Sequence, residues 1–419
     1  MYNSENSITG GQEARSILPA VATFDGYVRA DGSVGTRNFL AVTIVGNCAA
    51  SAARMVSDHF TPARLAAWPN VDGVVPLIHE LGCGMEMTGE FMDVLRRTLG
   101  GCIRNPNNAG TVVLALGCER NNIYGFLEQE NLARGATVHT VVLQEAGGTA
   151  AAVRQGIEAI ESMLPLANQF ERQPVSASHL CVGLLSASLD AQCGVSANPA
   201  LGAAMDLIVE QGGSVILSDT PDLVALSDEL APHAATDQVA QALRGRVEGW
   251  RAYQAGRDTR SNRIALSDAN GFVSVRDKAS AGLARGGHSA IQAVYDYGQA
   301  ITKPGLVFMD GPSDEAVSAS GQMAAGANML CLTTGKGSGF GTALVPTIKL
   351  ASNSQVFAHF NDDLDVDCGG VLEGRLSVED MGRCIFDAVL RYASGHKTCN
   401  EILNVGNTEF APWPKGVLA

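Results

Sequence analysis

Cys48, Cys83 and Cys118 stand 35 residues apart, each at the end of an apolar run: AVTIVGN, VVPLIHELG and TVVLALG. Each run reads as a buried parallel strand, and each is followed by a helix-like pattern. In an open α/β sheet, ligands gather outside the carboxyl ends of the strands. Three thiols so placed, with His79 four residues before Cys83, make the donor set of a metal centre. Thiolate and imidazole bind iron or zinc, whereas carboxylate-rich sites prefer harder ions. Three thiolates with one open position suit a [4Fe–4S] cluster, and a mononuclear Fe2+ or Mn2+ site is the other form. The competing reading is that these cysteines are small buried hydrophobes at strand ends. Glu119, next to Cys118 at an expected helix start, is either a metal ligand or proton carrier, or a first-turn acid favoured by the helix dipole. Asn47 either bonds substrate or shapes the turn before Cys48.

A second group of candidates lies downstream. In TTGKGSGFG (333–341), Thr334, Gly335 and Gly337 outline a strand-end loop whose backbone N–H groups form an anion nest. Lys336 adds a cation there that suits a substrate carboxylate or proton transfer, and the spacing is not that of a nucleotide-binding P-loop. Gly147, Gly148 and Thr149 in QEAGGT make a similar strand-to-helix turn. Asp310, ending LVFMD, suits a metal or a substrate hydroxyl. Asp362, Asp363, Asp365 and Asp367 form either a cation site or a solvated acidic loop. Arg37 and Lys349 are either carboxylate binders or surface cations.

The elements that must position these residues follow from pattern and composition. The chain has 419 residues, 46% hydrophobic and 17% charged, so two domains are expected. A net charge of −14 argues against nucleic acid or an anionic membrane as partner. Ten cysteines in this length are no disulfide scaffold, the start is polar, and no apolar run approaches a membrane span. The cytoplasm, with reduced thiols, is the default. Strands are expected at 39–46, 72–78, 111–117 and 138–143, and helices at 49–60, 86–99, 120–133 and 149–163. That alternation predicts βαβ units. The expected fold is α/β, with two three-layer α/β/α domains and mostly parallel sheets. Residues 1–22 read as a flexible arm, 23–165 as the first domain and 179–419 as the second, with LANQFERQPVSAS (166–178) as linker. Asn198-Pro199 reads as a helix start with Asn as N-cap, the pattern at 378–393 as a late helix, and 258–271 as a loop.

The segments GYVRADGSVGTRN, GNC, IHELGCG, LALGCERN, QEAGGT, ANPALG, RGG, KPGLVFMDGPSDEAVSASGQMAAGAN, TTGKGSGFG, PTIKLASN, DDLDVDCG and EFAPW run in order from about residue 26 to 413. As a set they resemble the catalytic part of the altronate and galactarate dehydratase family, which includes the large subunit of sulfolactate sulfo-lyase. The resemblance implies a metal-dependent carbon–oxygen lyase. It would act on a small hydroxy acid such as an aldonate or aldarate, with α-proton abstraction and β-elimination. It also implies a metal on the GNC, GCG and GCE cysteines, and a separate small subunit carrying an antifreeze-like (SAF) domain; a homo-oligomer is a further expectation. Two segments depart from the family pattern. Where members carry ECGGSD-x-x-SG, this chain has Leu185 to Asp190 as LSASLD, then Cys193-Gly194, retaining Asp190 and Asn198 as substrate-side candidates. Where members carry NPSPGN-x-x-GG, residues 262–271 read NRIALSDANG. The alternatives are therefore a sulfo-lyase or other C–X lyase, and a non-catalytic ligand-binding subunit on the same scaffold.

Overall fold

The strand Phe39–Ile44 is buried along its whole length, and its alternating side chains feed two different cores. Leu40, Val42 and Ile44 join one apolar cluster with Ala52, Val56, Ile160 and Met163. Phe39 and Ala41 join another with Met92, Leu95 and Phe126. A computed structural model describes residues 8–9, 21–187, 190–257 and 274–414. In it, Phe39–Ile44 lies inside a four-stranded parallel sheet in the order Gly73–Leu77, Phe39–Ile44, Asn108–Ala115, Val138–Val142. Pro76 is accommodated because Gly73–Leu77 is an edge strand. Helices Ala50–His59 and Thr149–Ala167 cover one face, and Glu90–Ile103 and Ile123–Gln129 the other.

The second sheet has eight parallel strands: Ile8–Thr9, Val366–Asp367, Thr347–Ala351, Met329–Thr334, Cys181–Ala187, Ser214–Leu217, Gly305–Met309 and Val294–Tyr295. Its outer face packs on helices Ala197–Glu210 and Val378–Ala393. Its inner face packs on helix Glu315–Ala325. That helix meets Glu90–Ile103 so closely that a Cβ at Gly101 would overlap the Ala324 carbonyl. One apolar cluster holds Ala41 and Val113 of the first sheet, Val307 and Leu332 of the second, and Met92 and Met323 between them. The two α/β/α units thus share a middle layer.

Three expectations are corrected in detail. The linker at 166–178 contains a strand, Arg172–Ser176, paired antiparallel with Thr23–Val28, which also pairs with Val34–Gly35. Pro174 is tolerated there because Arg172–Ser176 is an edge strand. Asn198 is not the N-cap: helix Ala197–Glu210 starts two residues earlier, from Ser196, and Asn198 turns inward to donate to the Ala281 carbonyl at 2.7 Å. Pro199 still falls in the first turn, where N–H groups lack helical partners. Two residues of the arm, Ile8–Thr9, form an edge strand beside Val366–Asp367. The remainder of 1–20, Ser188, Leu189 and the loop expected at 258–271 lie outside the described residues.

Candidate active site

Each parallel sheet has an interior point at which its strand order reverses. In the first sheet the reversal falls between Phe39–Ile44 and Asn108–Ala115, so the loops bearing Cys48 and Cys118 border it. In the second it falls between Cys181–Ala187 and Met329–Thr334, so Asp190 and the Thr334–Gly337 loop border it. Such switch points open a crevice at the carboxyl ends of the strands.

The three cysteine loops are bound into one unit. Asn47 N–H donates to the Leu81 carbonyl at 3.1 Å, and Asn121 N–H to that of Gly82 at 3.1 Å. The buried Asn121 amide closes the ring by donating to the Val45 carbonyl at 3.0 Å, and it accepts from Arg96 Nε at 3.0 Å. Gly82 is required at the crossing. Its φ is +102°, and a Cβ would overlap the Val45 carbonyl oxygen. Asn121 lies within the LALGCERN segment but was not among the sequence candidates.

All ten cysteines are free thiols, and only Cys48, Cys83 and Cys118 are exposed. Cys48 Sγ and Cys83 Sγ lie 3.8 Å apart. Loss of solvent around its sulfur, then Cys48, Glu119 and Cys118, push the Cys83 thiol up to about 11. This crowding of potential anions is what a bound cation relieves. The soft, exposed donors fit a thiophilic ion, although among the described residues no three His, Cys, Asp or Glu side chains are gathered as a finished cage.

His79 sits behind the thiol loops. Its Nε2 donates to the Ile44 carbonyl at 3.0 Å, its Nδ1 accepts the Leu81 N–H at 3.1 Å, and its ring meets Phe410 edge-on. Burial pulls its pKa down to about 4, so the ring is neutral. With both nitrogens committed to main chain, the imidazole organises the loop and offers no lone pair to metal or substrate. Glu119 is folded back in the same way, accepting the N–H groups of Leu116 and Gly117. Asn47 braces the neighbouring loop through the His79 carbonyl at 3.2 Å and Glu80 at 3.0 Å. Gly147, Gly148 and Thr149 are exposed at the start of the long helix Thr149–Ala167.

On the second sheet, Asp190 caps helix Ala191–Val195 by accepting Cys193 N–H at 2.8 Å, and its carboxylate lies against Gly335. Two of the substrate-side candidates, Asp190 and the Gly-rich loop, are therefore neighbours. Thr334 is buried, and Lys336 is exposed on the loop. Lys349 does not reach the surface: its buried Nζ donates to the Ser338 carbonyl at 2.8 Å and props that loop. Asp365 is likewise internal, accepting the N–H groups of Lys349 at 2.8 Å and Cys399 at 2.9 Å, with burial raising its pKa to about 6. Asp367 accepts Gly369 N–H at 2.8 Å, and Asp362 is exposed. Arg37 is a buried tie between the units, not a surface carboxylate binder. Its five N–H groups reach Glu401 (2.6 and 2.8 Å) and the carbonyls of Thr36, Tyr392 and His396. Asp310 accepts Thr220 Oγ1 at 2.6 Å and lines a cavity of about 300 Å3 between the units with Asp93, Arg97, Arg246 and Trp413. None of the three cysteines lines that cavity.

Two parallel α/β units with facing layers, switch-point loops and a surface thiol triad describe an enzyme of the doubly wound class. A family model described as D-galactarate/altronate dehydratase, C-terminal, matches residues 177–418, and one described as D-galactarate dehydratase/altronate hydrolase, second domain, matches 26–168. The chain belongs to this family. It is 34% identical over 389 residues to galactarate dehydratase (L-threo-forming) of Escherichia coli (strain K12), covering 90% of this chain and 73% of that protein. It is 29% identical over 377 residues to altronate dehydratase of the same organism, covering 90% and 74%. The (2R)-sulfolactate sulfo-lyase subunit beta of Chromohalobacter salexigens is 27% identical over 393 residues, covering 93% and 96%. All three relatives are lyases by name. Among the described residues, no helix is long and apolar enough to cross a membrane.

Proposed function

We propose that the chain is a metal-dependent lyase that removes a β-substituent from a small 2-hydroxy acid in the reducing cytoplasm. The observation that carries this reading is the selective exposure of Cys48, Cys83 and Cys118 among ten free cysteines, on loops welded together at a sheet's reversal point. Those three thiols are the proposed ligands of iron, as Fe2+ or a [4Fe–4S] cluster, with Mn2+ as the alternative ion. When bound, the metal supplies Lewis acidity to the substrate carboxylate and hydroxyl and so acidifies the α-carbon. The chain's own part is to orient the acid. The N–H groups of the Thr334–Gly337 loop and Lys336 suit its carboxylate, with Asp190 and the Gly147–Thr149 turn as further substrate contacts. Lys336 is the proposed proton carrier, because His79 and Glu119 are already committed to main chain. Loss of the α-proton and a β-hydroxyl as water leaves an enol that becomes a 2-keto-3-deoxy acid.

A second reading, sulfite as the leaving group, is supported by the similarity to the sulfo-lyase subunit over 96% of that relative's length. The word subunit in that relative's name also supports a small partner chain. Anaerobic purification followed by iron, manganese and acid-labile sulfide analysis tests the metal. Galactarate, altronate and (2R)-sulfolactate, each assayed with and without a small SAF-domain chain, test the substrate. The expected result is metal bound at one site per chain, with Cys48→Ser, Cys83→Ser and Cys118→Ser each losing the metal and at least about 100-fold in turnover. Metal-free protein with all three thiols titratable and full turnover would sink the metal reading.

A further inference from the structure

We propose that Cys48 and Cys83 form an oxidisable dithiol, a modification site that closes reversibly to a disulfide and withdraws both sulfurs from any other use. The argument begins with placement. The two sulfurs already touch at 3.8 Å, and both are exposed. A disulfide needs them at about 2.05 Å, so an approach of somewhat under 2 Å is required. The chain around them can supply it. Gly82 is held against the Val45 carbonyl, but rotation of the two cysteine side chains closes much of the gap, and Gly84, on the other side of Cys83 at φ +69°, has open space where a Cβ would point. Cys48 sits in the single turn Asn47–Ala49 directly before helix Ala50–His59. Cys118 belongs to the same exposed group, but its sulfur makes no such contact with either partner among the described pairs. The other seven cysteines are shielded to different degrees, five of them buried. Of the three exposed thiols, Cys48 and Cys83 are the two in sulfur–sulfur contact, so an oxidant that caps one of them leaves its partner in place to close the pair.

The oxidant is a small-molecule disulfide of the glutathione class. One protein sulfur, as thiolate, attacks a sulfur of the oxidant; a mixed disulfide forms and one small thiol leaves. The second protein thiol loses its proton and attacks the protein sulfur of that mixed disulfide, and the second small thiol leaves. Two protein thiols and one small disulfide become one protein disulfide and two small thiols, a two-electron exchange that excess dithiol reverses. Because the closed pair cannot offer thiolates, any activity needing them stops until reduction.

The inference does not need the metal reading, and the experiment separates the two. The full chain is incubated with oxidised glutathione, both as purified anaerobically and after chelator treatment, then digested without reduction and mapped by mass spectrometry. The expected result is a loss of two hydrogens, about 2 Da, in a species joining the Cys48 and Cys83 peptides, reversed by dithiothreitol. Cys48→Ser and Cys83→Ser abolish that species, and Cys118→Ser retains it. If the link forms in chelated protein but not in protein as purified, a metal on these sulfurs is protecting them. If it forms equally in both, the dithiol stands and the metal reading falls. Absence of the link in chelated protein, or a link from Cys118 to either partner as the main product, overturns the proposal.

Discussion

At the scale of residues, His79 shows how the same side chain changes meaning once its partners are known. Its position before Cys83 suggested a ligand or base, but Ile44 and Leu81 take up both nitrogens. Burial holds its folded pKa at about 4 against 6.5 for the free side chain. Between these values the unfolded chain binds the more protons. The stability contributed by neutral His79 is therefore complete above about pH 6.5 and is lost as the pH falls toward 4. Its loss there is roughly 3 kcal/mol. Urea unfolding from pH 7 to 4 should show this slope, and His79→Gln should flatten it. His79→Ala should cost about 2–4 kcal/mol at neutral pH, by stranding two buried main-chain groups. An unchanged denaturation midpoint in that variant would contradict the structural role.

At the scale of elements, the thiol loops depend on a few residues that touch no substrate. Gly82→Ala forces a left-handed alanine and a clash with the Val45 carbonyl. It should cost about 2 kcal/mol or more and move Cys83 off Cys48, so thiol-reagent kinetics should show Cys83 reacting independently of Cys48. Asn121→Ala removes the bond to Val45 and strands the Arg96 contact. We expect a loss of about 1–3 kcal/mol in chemical unfolding. The strands and the long helices were legible because their apolar periods are strong: Val378–Ala393 and Thr149–Ala167 begin where the patterns predict. Arg172–Ser176 was not, because a five-residue polar edge strand containing Pro174 has no apolar alternation to mark it. Asn198 was misread for a related reason, since capping chemistry is shared by any Asn before Pro, and the burial that turns it inward is set by Ala281 far along the chain.

At the scale of the whole molecule, the two units are held by a common apolar layer and by buried polar ties. Asn105 donates to the Met323 and Ala327 carbonyls at 2.8 Å, and Thr36 to that of Asn328 at 2.7 Å. A fragment spanning 26–168 would expose the face of Ala41, Met92 and Val113, so it should show no cooperative thermal unfolding; a sharp transition would refute the shared core. Burial works against the Glu401 carboxylate, but Arg37 outweighs it and holds its pKa below the ordinary value. Arg37→Ala should therefore cost about 3–5 kcal/mol, by leaving that carboxylate buried without its partner. The pair's contribution is present above the usual glutamate range and is lost as the pH falls through the depressed folded value.

The sequence by itself determined the strand–helix alternation, the parallel sheets and the equal spacing that puts three cysteines at three strand ends. These are local properties, written in apolar period and chain distance. The tertiary structure decided which of the candidates face solvent and which are consumed inside. Arg37, His79, Lys349 and Asp365 are polar in sequence, yet they spend their bonding groups on partners 1 to 364 residues away. Hydrogen-bond partnership across such separations has no signature in residue type. Only the folded chain distinguishes a thiol left open to solvent from a histidine already bound to its own backbone.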